Sequence, residues 1–146
     1  MTLVLLIIGS VIVWLLPARF RFAAWMIVIM AAVVPWRAPQ DHPHWNRARW
    51  IPFVSPPVRA RDIAGNFALY VPFGFLYARG RPMSGVLLRG LAYAVLLSTG
   101  TEFTQLFSHQ RFPSVQDVLM NVLGAAGGMA IVRVNERTRV GTMKRR

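Results

Sequence analysis

Five apolar blocks, separated by arginine-bearing intervals that are short except for the one over 37–61, limit what this chain can fold into more than any other feature. The blocks occupy positions 2–16, 20–36, 62–78, 86–107 and 115–134. They are continuous rather than amphipathic, as expected of helices that face lipid and not of helices that cover a soluble core. With 55% of its 146 residues hydrophobic and 15% charged, the chain departs from an ordinary soluble domain. The reading is therefore an all-α, helical integral membrane bundle of about five transmembrane helices over those intervals. The first block would reach only about 23 Å as a helix at 1.5 Å per residue. No basic residue precedes it, and Leu15-Leu16-Pro17-Ala18-Arg19 follows it, so it reads as a retained span rather than a cleaved signal.

The formal charge of +12 raises the question of nucleic acid, but the basic residues lie in loops between apolar blocks and form no separate basic domain. That distribution is what membrane orientation and anionic head groups select. Of the seventeen lysines and arginines, eleven fall in the first turn, the third-to-fourth turn and the tail. Counting them over short loops places that side in the cytoplasm, with the N-terminus outside and the C-terminus inside. The organisation expected is a two-helix segment over 1–36, an outer loop rich in Pro, Arg and Trp over 37–61, a membrane domain over 50–134 and a basic cytoplasmic tail over 135–146, frayed beyond the last span.

In the long loop five prolines argue against a regular helix, and Trp45, Trp50 and Phe53 suit the head-group level. Asp41, His42 and His44 invite a metal reading. Two histidines on a proline-broken loop fit a plain solvated loop better, so no metal and no cofactor are expected. The chain has no cysteine, which removes disulfides, thiolate metal sites and a Cys nucleophile.

The polar residues inside the blocks form a pattern. At 100° per residue Ser98, Glu102, Gln105 and His109 share one helix face, and Asp117, Asn121, Gly124 and Gly128 share another. Asp62 and Asn66 are also four apart. In a five-span topology all three sets lie toward the outer side, where they can converge on one shallow polar pocket made of Asp62, Asn66, Glu102, Gln105, Arg111, Asp117 and Asn121. Glu102 sits about 8 Å inside its span, and Arg111, in the following turn, is the partner expected to neutralise it. Gly124 and Gly128 form a small-xxx-small pattern that admits a neighbouring helix, while Pro72 and Gly74 interrupt the third span.

Plainer readings stand beside these. Asn66, Gln105 and Asn121 also suit interhelical hydrogen bonding, worth about 0.6 kcal/mol on average. Asp62 and Asp117 suit the first turn of a helix, where the dipole favours acids. Ser98, Thr99, Thr101 and Thr104 suit bonds to their own helix carbonyls.

The ordered set of residues resembles the VanZ-like family of small bacterial membrane proteins. Trp50-Ile51-Pro52-Phe53 is similar to the family's Asn-x-x-Pro-Phe pattern, with Arg49 where the Asn falls. Asn66 to Leu76 is similar to its Asn-x-x-x-Phe-x-Pro-x-Gly-Phe-x run, with Tyr70 in place of Phe. Glu102 and Gln105, then Arg111, Asp117, Asn121, Gly124 and Gly128, are similar to its closing signature. The motifs run from about Trp50 to Gly128 and leave the first two blocks outside. The resemblance implies a multi-pass protein of the bacterial cytoplasmic membrane. The family's namesake is associated with low-level resistance to glycopeptides, teicoplanin in particular.

Three functions compete. One is a binding or accessory protein whose outward pocket holds an anionic or amphipathic envelope ligand, such as a lipid head group or lipid-linked precursor. Another is a membrane enzyme using Glu102 and Asp117 as acid and base and Arg111 as anion stabiliser, although the sequence shows no nucleophile arrangement or phosphate-cradling loop. The third is a structural subunit of a larger complex. The bilayer is the one partner common to all three, and nucleic acid is a partner in none.

Overall fold

The computed structural model describes residues 2–35, 40–54, 60–82, 84–109 and 111–143. Among these the regular structure is helical: α1 (Thr2–Leu15), α2 (Ala18–Val33), α3 (Ala60–Ala78), α4 (Val86–Gln105) and α5 (Val115–Met143), with a single 3₁₀ turn at Trp45–Arg47. The boundaries follow local chemistry. Pro17 caps the start of α2, and its end falls at extended Val34, the residue before Pro35. The α3–α4 turn is made by Gly80 and Gly85, both in the left-handed region at φ 73° and 69°. The tail expected to fray instead continues α5 as helix to Met143, because charge alone does not end a helix.

The expectation of five spans is met in helix number, and in length and composition by α5 alone. Among the described residues only Val115–Thr138, with mean hydropathy 1.5, is long and apolar enough to cross a membrane. At 14 and 16 residues, α1 and α2 fall short of the ~20 residues that a ~30 Å core asks for. The longer helices α3 and α4 carry Asp62 and Pro72, and Arg89 and Glu102.

The closest packing joins α3 and α5, which run parallel. A Cβ on Gly124 would overlap the Phe67 carbonyl, one on Gly128 the Val71 carbonyl, and one on Gly74 the Ala125 carbonyl. Two backbones therefore meet with no side chain between them. On the other face of α3, Phe22 of α2 packs on Phe73 and Tyr77 at 5.5 and 5.7 Å. Trp25 Nε1 donates to the Leu69 carbonyl at 3.0 Å, one residue beyond the Ala68 carbonyl whose helical donor Pro72 lacks. Antiparallel to α5, α4 sets Gly90 so close to Met129 that an added Cβ would lie 2.6 Å from its sulfur.

The bundle has an apolar core around Ile29, Tyr70 and Phe73, yet its surface is apolar too and a set of polar side chains is buried. Leu15, Ile27, Leu88 and Leu96 are 69–80% exposed, whereas Ser98, Thr101, Glu102, Gln105 and Asn121 are at most 7% exposed. On α4 the outward face is Leu87, Leu88, Val95, Leu96 and Phe103, and the inward face is Gly90, Ala94, Ser98, Thr101, Glu102 and Gln105.

Candidate functional site

The polar residues gather at the end of the bundle where α3 and α5 begin and α4 ends. Residues 40–54 fold over this end and are fastened to it by main-chain hydrogen bonds. Gln40 and His44 N–H donate to Phe107 and Leu106 carbonyls at 2.8 and 2.9 Å. Arg49 forms an isolated parallel bridge with Ser114: its N–H donates to Pro113 O at 2.8 Å, and Val115 N–H donates to its carbonyl at 3.1 Å. Phe53, at φ 64°, donates its N–H to Gln116 Oε1 at 3.1 Å. Residues 40–54 of the long loop thus form a lid held largely by backbone contacts.

Beneath it Glu102 is nearly enclosed. One carboxylate oxygen accepts the Ser114 N–H at 2.8 Å, and the other accepts from Gln105 Nε2 at 3.4 Å. The start of α5 is therefore held against the end of α4 by a buried hydrogen bond. Deeper, Asn121 Nδ2 donates to Ser98 Oγ at 2.8 Å, also joining α4 to α5. Asn121 Oδ1 and the Tyr70 hydroxyl are buried and make no hydrogen bond of normal geometry among the described residues. Thr101 and Thr104 donate to the carbonyls of Ser98 and Thr101 at 2.8 and 2.7 Å, as their type predicts, but Ser98 serves the next helix.

At the mouth, Asn66 offers its side chain to the half-buried Asp117 carboxylate, whose charged neighbours are Asp62, Arg49 and Arg111. Asp62 and Asp117 both occupy the first turns of their helices, where the dipole favours an acid. Arg61 Nε lies 3.4 Å from Asp62. Arg111 is exposed and acts on both Glu102 and Asp117 across space; among the described residues it forms no direct ion pair with either. The carboxylate-to-guanidinium contact expected for Glu102 is thus replaced by a backbone N–H.

His109 does not join the carboxylates. The helix ends at Gln105, and the His109 ring packs on His44 at 4.4 Å, which in turn meets His42 at 4.8 Å. Burial, the two neighbouring rings and Arg47 push His44 below the ordinary histidine value, and its Nε2 is buried without a partner. His42 donates to Asp41 at 3.0 Å and holds that carboxylate below its usual range. Among the described residues no group of three or more His, Asp or Glu is arranged to hold a metal ion.

The VanZ/LLP1 family model matches residues 3–136. The chain belongs to the VanZ/LLP1 family. No curated protein and no solved structure matches it. The match takes in α1 and α2, which the motifs alone leave outside.

Three contributors to this end of the VanZ/LLP1 bundle escape sequence reasoning. Arg49, standing where the motif has Asn, is a charged neighbour of Asp117 and lies with Arg47 over the Phe112 ring, the guanidinium carbons 4.8 and 4.4 Å from its centroid. Ser114 acts through its N–H, which no side-chain pattern reports. Tyr70 carries its hydroxyl into the buried polar layer as a departure from the family's Phe, and that departure was the available signal.

Proposed function

We propose that this VanZ/LLP1 protein is a multi-pass protein of the bacterial cytoplasmic membrane that binds an anionic or amphipathic envelope ligand at its lidded polar end. The apolar surface supports the membrane setting: large apolar side chains on every helix face outward, while Glu102, Gln105 and Asn121 are buried. The observation that carries the binding reading is the grouping of Arg47, Arg49 and Arg111 around a polar mouth whose deep carboxylate is already committed to Ser114. With Glu102 engaged internally, the guanidinium groups are available to a phosphate or carboxylate, which their planar forks suit. The exposed Trp45 and Trp50, stacked 6.3 Å apart, suit the interface at the same level. A role in teicoplanin susceptibility would follow if the ligand is a lipid-linked wall precursor.

The test uses the full chain in phosphatidylcholine discs, offered polyprenyl phosphate or the neutral polyprenol. The parent is expected to retain the phosphate at least about tenfold better, and Arg49→Ala/Arg111→Ala to lose most of that preference, since each charge-assisted bond is worth about 1.5–3 kcal/mol. Equal retention by the double variant would remove the binding reading. Turnover of the polyprenyl phosphate that is abolished by Glu102→Gln while retention stays intact would favour an enzyme instead.

Orientation has its own check. Because the chain lacks cysteine, single substitutions report cleanly. A membrane-impermeant maleimide is expected to label His109→Cys in intact spheroplasts and to label Arg137→Cys only after lysis. The reverse pattern would put the lidded end in the cytosol.

A further inference from the structure

At the end of the bundle away from Glu102, the start of α2 and the C-terminal end of α3 flank an open cleft of about 260 Å³, lined by Ala18, Arg21, Phe22, Leu76, Arg79 and Gly80. Arg21 is fixed there. Its Nε donates to the Leu16 carbonyl at 2.9 Å and one Nη to Trp14 O at 3.0 Å, which satisfies carbonyls at the end of α1 and leaves the second Nη outside those bonds. Arg79 is exposed, its guanidinium 5.9 Å from the Phe75 ring. Arg81 bonds the Tyr77 carbonyl and lies over the Tyr77 and Phe22 rings at 4.2 and 5.6 Å, adding charge above the aromatic wall. Among the described residues the ion pairs are Asp41–His42 and Arg61–Asp62, both at the other end, so no carboxylate pairs with these arginines.

We propose that this cleft binds the phosphate head group of an anionic phospholipid, with an acyl chain along Phe22 and Leu76. Two guanidinium groups beside an apolar wall match an amphiphile. Arginine donates parallel bonds to phosphate oxygens, and basic pockets between membrane helices are where anionic head groups lodge. A soluble phosphate would use the guanidinium groups but gain nothing from the apolar wall, so the wall selects the lipid. The site lies at the opposite end of α3 from Asn66 and does not depend on the ligand proposed for the lidded end.

The test places the full chain in discs of equal phosphatidylcholine and phosphatidylglycerol and counts co-purified lipid by native mass spectrometry. Retained phosphatidylglycerol is expected to exceed phosphatidylcholine and to fall about fivefold in Arg79→Gln. Arg137→Gln, which removes one exposed charge from α5 outside the cleft, should leave it near the parental level. Equal losses in both variants would reduce the effect to diffuse surface charge, and no preference over phosphatidylcholine would remove the site. Displacement of the lipid by millimolar inorganic phosphate would show that the guanidinium groups take a soluble anion instead.

Discussion

Gly128→Ala is expected to unfold or severely loosen the bundle, although it adds one methyl group. At that position a Cβ would overlap the Val71 carbonyl and come 2.6 Å from the Phe75 nitrogen. Both atoms are backbone, so no rotamer change relieves the clash, and α3 and α5 must separate. Overpacking of a core typically costs about 1–3 kcal/mol and occasionally more; here the upper end or beyond is expected, since the strain spreads along the closest interface in the molecule. Gly100→Ala is the control. Nothing lies within 4 Å of a Cβ there, and removing a mid-helix glycine should gain roughly 0.5–1 kcal/mol. Thermal unfolding followed by tryptophan fluorescence in detergent measures both. If the two variants melt together, the parallel contact of α3 with α5 is wrong.

The same contact shows what can be read from residues and what cannot. Gly124 and Gly128 announce a close approach because spacing by four puts small residues on one face. Their partner on α3 is main chain, at the carbonyls of Phe67 and Val71, and main chain leaves no mark in composition. Likewise the shared face of Ser98, Glu102 and Gln105 follows from helix periodicity, and the structure turns all three inward. Ser98 meets Asn121, but Glu102 meets the Ser114 N–H, and Ser114 is placed by a bridge to Arg49 made through backbone groups that every sequence possesses. Arg111 is the nearest arginine in the chain to Glu102 and was for that reason the natural partner. The bridge between Arg49 and Ser114 instead brings Arg49 to Asp117 and a backbone N–H to Glu102. Helices α1 and α2 carry apolar side chains at most positions and no polar signature, so motif reading begins at Trp50 while the family match begins at residue 3.

Glu102 substitutions should separate an organising carboxylate from a titrating one, and the Ser114 bond fixes the order of effects. Glu102→Ala removes the acceptor of the Ser114 N–H, 2.8 Å away in a buried setting, and opens a void between α4 and α5. An orphaned buried donor costs about 1–3 kcal/mol, and the lost contacts add to it, so a loss of about 3 kcal/mol or more is expected. Glu102→Gln keeps an oxygen in the same place, and Gln105 can turn its own amide to suit the new neighbour; a loss of about 1 kcal/mol is expected for the altered hydrogen bond. Arg111→Ala, at an exposed site with no direct ion pair to Glu102 or Asp117, should stay within about 0.5 kcal/mol of the parent while weakening polyprenyl phosphate retention. Thermal unfolding and lipid retention on the same three variants give the answer. An Arg111→Ala melting loss as deep as that of Glu102→Ala would mean the guanidinium, and not the Ser114 N–H, holds the carboxylate. A melting loss confined to Glu102→Ala, with retention lost in Arg111→Ala, would assign holding the bundle end together to one residue and meeting the ligand to the other.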